Sequence, residues 1–511
     1  MAVQMNGDGA RKALAGWTIL SAGSLVTYAW QRSSGRRRKE AGLRPPQAQP
    51  SLPLLGNALA YKADPVGFLE RQRRELGTCF RLNMAGLPLT VVAGRHDMAQ
   101  VANAGEAILS AQSATADFGF AETLGSLNVY FGTELQHMVL KQTGLGNQSS
   151  EKARQSDKLL ELAVAKAVRT ALPGQAGRIS DAVAMMRRLS LHAVMLHLVG
   201  ESVLLACDAA GGDFLAEFMT FQDHVEDATA KGVTMPAWFS RLFIWRPVRQ
   251  ERERLQVSLG RAIAAVWASD EPSQALWLEA VHGFQSRSMI PAWRRYLQRH
   301  GGSVATSQSD PPVSPEEAAE LLVGLLFASH KNPAICLAQT LLLLLEHPAE
   351  MEKVLAELRN PRDASSSNQA LELSISETLR ITAHTIGGIR KVVAPEGFDL
   401  KSGFHVPFGE YVVLSHTLPN SDPSTFVEPG RFNPSRFSEP GKFDEYDFTT
   451  FSHGLHACPG QHYARRFMLL SLAMMLHRCE FKLVGETLGF CHERATLAQR
   501  AGLCPLDYRM L

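Results

Sequence analysis

The chain has 511 residues, 45% of them hydrophobic and 20% charged, with 52 basic and 50 acidic side chains and a net charge of +2. This is the composition of a globular chain with ample core, in one large domain or a few smaller ones, and it excludes bulk disorder, collagen and coiled-coil rods. The near-neutral balance excludes a general nucleic-acid binder. Seven cysteines stand at 79, 207, 336, 458, 479, 491 and 504, with no CxxC pair. That excludes a zinc ribbon or a thioredoxin-type motif, and an odd, scattered set is no disulfide scaffold, which points to a reducing compartment.

In chain order, charge is unevenly placed. Residues 1–44 carry eight basic and two acidic side chains, so 45–511 has a net of −4. Residues 13–30, ALAGWTILSAGSLVTYAW, are uncharged, and eighteen helical residues span ~27 Å, about one hydrocarbon core. Trp17, Tyr28 and Trp30 suit membrane interfaces, and the basic run QRSSGRRRKE behind the stretch sets its C-terminal side in the cytosol. The expectation is an uncleaved signal anchor over 1–44; a cleaved signal or organelle transit peptide is the alternative. Pro45, Pro46, Pro50 and Pro53 then predict a stiff, extended hinge over 45–56, and 57–511 is left as the main globular domain.

Residues 77–94 alternate and are rich in Thr and Val, a predicted two-stranded hairpin. From about 150 to 300 the periodicity is mostly helical. The stretch 301–315 is loop by composition, as is 361–369, and short strand signals return over 404–415. The fold class is therefore mainly α with small β-sheets. Ser314 and Glu317 form a capping box with Pro315 in first position, opening a helix that runs to about Leu345, or ~46 Å. It is apolar nearly all round, so it belongs inside the domain. Ser329, His330, Lys331 and Asn332 interrupt it, and Pro333 leaves the Ser329 carbonyl without its helical partner. Either the helix kinks there and opens a groove for a small molecule, or it ends and restarts with Asn332 as N-cap.

The strongest pattern is FSHGLHACPGQHYARRFMLLSLAMML, 451–476. Cys458 lies in a loop just before a helix starting near Gln461. A helix N-terminus lowers a thiol pKa. Gly454 and Gly460 let backbone approach a flat ligand and leave N–H groups free for sulfur, and Phe451 supplies an apolar wall. Phe451, Gly454, Cys458 and Gly460 in F-x-x-G-x-x-x-C-x-G resemble the haem-ligand loop of the cytochrome P-450 superfamily. Glu377-Thr-Leu-Arg380 resembles its E-x-x-R, and Arg436 in FNPSRF completes the matching Glu–Arg–Arg triad. The resemblance implies the fold of that superfamily with a long kinked helix over haem, an iron–Cys458 bond, and a triad bracing the ligand loop.

Within the superfamily, GLLFASHKNPAICLAQTLLLLLEHP is most similar to the central helix of the sterol 14-alpha-demethylase branch. His456, Arg390, Tyr130 and Lys141 match residues that hold haem propionates there. The departure is Lys331-Asn332 where those enzymes carry His-Thr, because an amide relays protons to dioxygen less readily than a hydroxyl. Lys331 is either a snorkelling surface residue or, if buried, needs a carboxylate partner.

The resemblance thus implies a haem b monooxygenase fed with NADPH electrons by a flavoprotein reductase. Its substrate would be a bulky hydrophobic lipid, first of all a sterol, with Ser329 and Asn332 lining the oxygen groove. Phe118, Phe120, Phe327, Ala328, Ile386 and Leu488 are candidate substrate walls, and Arg465 and Arg466 candidate reductase contacts. A single-pass protein of the endoplasmic reticulum membrane with a cytosolic domain follows, or an organelle-targeted one. An oxygen-independent isomerase or dehydratase of oxygenated lipids, and a haem- or lipid-binding protein with lapsed catalysis, are the alternatives.

Overall fold

The computed structural model describes residues 42–125, 151–269, 314–359, 368–492 and 496–511. The segment 13–30, Tyr130 and Lys141 lie outside the described residues. The strands in chain order are β1 (Cys79–Met84), β2 (Leu87–Val92), β3 (Leu109–Ser110), β4 (Ala176–Ile179), β5 (Gly387–Val392), β6 (Phe398–Asp399), β7 (His405–Val406), β8 (Tyr411–Leu414), β9 (Cys479–Leu483), β10 (Phe490–Cys491), β11 (Gln499–Arg500) and β12 (Leu506–Met510). The hairpin expected over 77–94 is β1–β2, paired antiparallel from Cys79–Val92 to Met84–Leu87. It opens a five-stranded sheet of order β1-β2-β8-β5-β3, in which β8 runs parallel to β2. A second sheet is ordered β4-β12-β9, and β10–β11 and β6–β7 are small antiparallel pairs.

Helices dominate. Those that shape the site are α1 (Ala111–Asp117), α2 (Glu151–Ala171), α3 (Ala182–Leu198), α4 (Phe214–Gly232), α5 (Arg246–Trp267), α6 (Pro315–Ser329), α7 (Lys331–Glu346), α8 (Gln369–Ile381) and α9 (Gln461–Arg478). α6 and α7 together are the expected central helix. Its start carries both halves of the capping box, with Glu317 N donating to Ser314 Oγ at 3.2 Å and Ser314 N to Glu317 Oε2 at 2.9 Å. Because it is apolar on every face, it is packed all round: α5 lies along α6, while α3 and α9 flank α7. Leu322, Leu326, Leu337, Leu341 and Leu342 are fully buried, each worth ~1.5–3 kcal/mol of transfer free energy. Among the described residues Pro315–Glu346, taken as one span, is also long and apolar enough to cross a membrane, but 72% of its most apolar window is buried inside the protein. It is a core helix.

Two expectations need correction. The helix does restart after the interruption, but His330, at φ −111°, occupies the N-cap position; Asn332 and Pro333 are already inside α7. The proline-rich stretch is extended but is no free hinge. Leu43 bridges Phe404 and Gln47 bridges Arg81. Ala48 N donates to the Arg81 carbonyl at 2.9 Å, and the buried Asn57 amide donates to the carbonyls of Ala48 and Pro50 at 3.0 and 2.7 Å. Backbone hydrogen bonds to the sheet outweigh the independence its prolines suggest, so the folded unit already includes Leu43.

Candidate active site

The loop before α9 turns tightly at Gly454, φ +65°, where a Cβ would stand 2.4 Å from the Ala102 carbonyl oxygen; only glycine fits. Cys458 N donates to the Phe451 carbonyl at 2.8 Å and Gln461 N to the Cys458 carbonyl at 3.3 Å. The sulfur is thereby fixed at the mouth of α9. Cys458 is exposed, unlike the other cysteines, five buried and Cys491 intermediate, yet protein surrounds it closely enough that desolvation pushes its thiol up. Accessible and desolvated together describe a group lining a concavity. The nearby Gly460 N–H opposes the shift, which favours thiolate.

Behind the loop sits a buried ion triad. Glu377, fully buried, accepts from Arg380 Nε and Nη2 at 2.8 Å each, from Arg436 Nε at 3.1 Å and from Asn433 N at 3.1 Å. Arg380 Nη1 donates to the Asn420 carbonyl at 2.8 Å. Asn420 Nδ2 donates to Thr450 Oγ1 at 2.9 Å, and Asn420 Oδ1 accepts from Thr449 N at 3.0 Å. The triad therefore connects through Asn420 to the residue next to Phe451. Sequence spacing pointed to the triad but not to Asn420, whose role comes from a contact 40 residues away.

Arg390 and His456 are brought to one place. Arg390 is buried, its Nη1 donates to the Ile389 carbonyl at 2.9 Å, and its Nε has no hydrogen-bond partner. Burial lowers its pKa to about 10, with Glu106 countering. His456 Nε2 lies 3.2 Å from Glu106 Oε1. Glu106 itself accepts from Ser110 Oγ, Ala111 N and Gln112 N at 2.7, 3.0 and 3.3 Å. Burial alone would raise its carboxyl; His456, Ser110 and the two amides outweigh that and hold it down to about 2. A buried guanidinium with an unbonded Nε asks for an anion, so this corner fits a carboxylate-bearing group such as a haem propionate. Glu106 carried no sequence motif; only the start of α1 beside His456 reveals it.

At the break in the central helix, Ala328 is exposed although Phe327 and His330 are buried. Ser329 Oγ is buried without a partner. His330 Nδ1 donates to the Leu326 carbonyl at 2.7 Å, and burial lowers its pKa to about 3. Lys331 is buried and paired, 2.8 Å from Asp223 and 2.6 Å from Glu226; the carboxylate partner that burial demands is present twice. Asn332 Oδ1 accepts from Leu497 N at 3.2 Å. Of the expected walls, Phe120 meets Phe327 edge-on at 6.2 Å, Phe118 meets Tyr411 at 6.2 Å, Ile386 is partly buried and Leu488 is 60% exposed.

Arg465 departs from expectation. It turns inward, its guanidinium 5.2 Å from the Phe451 ring centroid and its Nη1 donating to Ser376 Oγ at 3.1 Å. Desolvation lowers its pKa. Arg466 is spent on Glu161 at 3.2 Å and Asp157 at 3.8 Å. An i, i+1 pair on a helix points in two directions, and the sequence did not say which way the core lay.

A family model for cytochrome P450 matches residues 45–495. The chain belongs to the cytochrome P450 family. It is 22% identical over 488 residues to Cytochrome P450 26B1 of Bos taurus, covering 90% of this chain and 86% of that one. Shorter matches, each over 33% of this chain, are 31% identity to Cytochrome P450 monooxygenase ataF of Aspergillus terreus and 26% to Beta-amyrin 28-monooxygenase of Barbarea vulgaris, covering 39% and 37% of those proteins. The retinoic acid-bound cyanobacterial CYP120A1 superposes with a TM-score of 0.68 over 92% of this chain and 100% of that one, at 18% identity, and shares the fold. None of these relatives is a sterol 14-alpha-demethylase, so similarity does not single out the branch that the central helix suggested. As a member of this family the protein is a monooxygenase, an oxidoreductase whose family implies haem-thiolate iron, a lipophilic small-molecule substrate and a redox partner.

Proposed function

We propose that this P450 hydroxylates a bulky, apolar isoprenoid-derived lipid, with Cys458 as the axial thiolate and Ser329 as the hydroxyl that handles protons. The observation that carries the assignment is the exposed Cys458 held at the mouth of α9, its N–H on the Phe451 carbonyl at 2.8 Å. When bound, haem supplies an iron that activates dioxygen with NADPH electrons passed through a flavoprotein reductase.

The chain's own residues do the rest. The N–H of Gly460 and the start of α9 favour sulfur as thiolate. Arg390 and His456 take the propionate carboxylates, joined in this proposal by Tyr130 and Lys141. Glu377, Arg380 and Arg436 hold the loop rigid from behind through Asn420. Ser329 Oγ, buried and unpartnered, is the group at the break free to donate and accept a proton. Phe120 and Phe327 keep water from the concavity.

The isoprenoid class is supported by the printed names of relatives: retinoic acid is bound in CYP120A1, and another relative is a beta-amyrin monooxygenase. Sterols belong to the same class. The anchor over 13–30, with its basic collar, would hold the enzyme on the endoplasmic reticulum membrane with its domain in the cytosol. Retinoids, triterpenoids and sterols should be screened by haem Soret shift, then incubated with NADPH and reductase. A hydroxylated product that requires NADPH is expected. Rearrangement of a lipid peroxide without reductant would overturn the proposal in favour of an isomerase.

A further inference from the structure

The polar side chains at the break in the central helix are almost all engaged, and each engagement reaches a different wall. A cation in the first turn of α7 opposes the helix dipole, and Lys331 is 3% exposed. Such a residue persists only where counter-charge is built in. It is supplied by α4: Asp223 at 2.8 Å and Glu226 at 2.6 Å. Asp223 is held in turn by Arg187 of α3, with both guanidinium amino groups at 3.0 Å. Beside Asp223, Gln222 Nε2 donates to the Phe327 carbonyl at 3.2 Å, and a turn before it Phe218 meets the His330 ring edge-on at 5.8 Å. A whole face of α4 is thus pinned to the break.

On the other side, Asn332 Oδ1 holds Leu497 N at 3.2 Å. The neighbouring Ala498 N donates to the Thr382 carbonyl at 2.8 Å, so the segment leading into β11 is fixed between the break and the end of α8. The same hairpin meets the far end of α7, where Glu346 pairs with Arg500 and accepts from Thr487.

We infer that Lys331 and Asn332 are paired tethers, Lys331 setting the distance of α4 and Asn332 that of the β10–β11 hairpin from the central helix. They are positioning residues: the Lys331 ammonium and the Asn332 Oδ1 are committed to walls, which leaves proton handling to Ser329. Their spacing on adjacent residues makes the gap between the two walls a property of one helix turn. Only the effect on ligand affinity rests on the proposed function; the tethers themselves do not.

Hydrogen–deuterium exchange on the full-length holoenzyme tests this. Lys331→Met should speed exchange in α4 roughly tenfold and leave β10–β11 unchanged, while Asn332→Ala should do the reverse. Asn332→Asp keeps the accepting oxygen and should keep the hairpin protected. In each tether variant the dissociation constant of an apolar ligand, read from the Soret shift, should rise roughly tenfold, with Lys331→Arg and Asn332→Asp restoring it. If Lys331→Met does not fold, Lys331→Met with Glu226→Gln removes one charge of each sign, leaves Asp223 paired with Arg187 and carries the same expectation. Unchanged exchange in both segments, or equal loosening of both by either variant, overturns the tethers. That result with a normal haem spectrum leaves the proposed function standing, whereas a missing spectrum removes the latter alone.

Discussion

The loop that carries Cys458 and the break that carries Ser329 are both short interruptions in helical structure, yet they are held in opposite ways. The loop is fixed largely by backbone: Gly454 against Ala102, Cys458 N on Phe451, and Asn420 bridging to the Glu377 triad. The break is fixed by side chains that reach elements 105 to 165 residues away. A left-handed turn that admits only glycine and a triad of paired charges restrict residue type at set spacings and leave a pattern in sequence. Tethers leave none, because any long polar side chain with a partner serves. The contrast explains why one half of the site carries the family's recognisable motif while the other, with Lys331-Asn332, departs from the sterol 14-alpha-demethylase branch.

The largest test of that contrast is Glu377→Ala. It leaves two buried guanidiniums without counter-charge, a cost of ~3–5 kcal/mol, and holoprotein should fail to accumulate, measured by haem-to-protein ratio and chemical denaturation. Next is Ser329→Ala. If the hydroxyl handles protons, product formation should fall roughly hundredfold while the ligand-induced Soret shift keeps its dissociation constant; a loss of binding instead would make Ser329 a wall residue.

The smallest is an acid limb. Burial lowers His197 and His384 to about 4, and His330 and His416 to about 3, against 6.5 for a free imidazole. The unfolded chain therefore binds more protons below pH 6.5. Stability is fully present above that value and falls as pH drops toward 4, by up to ~1.4 kcal/mol per pH unit for each histidine. His197 stacks on Tyr463, 5.6 Å between ring centroids, between α3 and α9. His197→Phe should cut the slope by about one proton, read from denaturation midpoints between pH 6.5 and 4.5.

Much of this fold was legible where local chemistry is decisive. The capping box at Ser314 and the hairpin over 77–94 follow from spacing and residue type, while the triad of Glu377, Arg380 and Arg436 follows from the family resemblance. What escaped depends on packing. Prolines 45–53 are stiff in isolation, but Asn57 and Arg81 bond them down. Arg465 reads as a surface charge until Phe451 and Phe448 are seen beneath it. Glu106 is unremarkable until α1 turns its amides toward it, and the N-cap falls on His330 because Lys331 is drawn inward by α4.

The central claim is that Cys458 supplies the sulfur on the iron. The reduced, carbon-monoxide-bound spectrum of haem-loaded protein measures it directly. The wild-type chain should give the red-shifted Soret band of a thiolate ligand, and Cys458→Ala should lose it while keeping its fold by circular dichroism. A Cys458→Ala variant that retains that band would contradict the assignment.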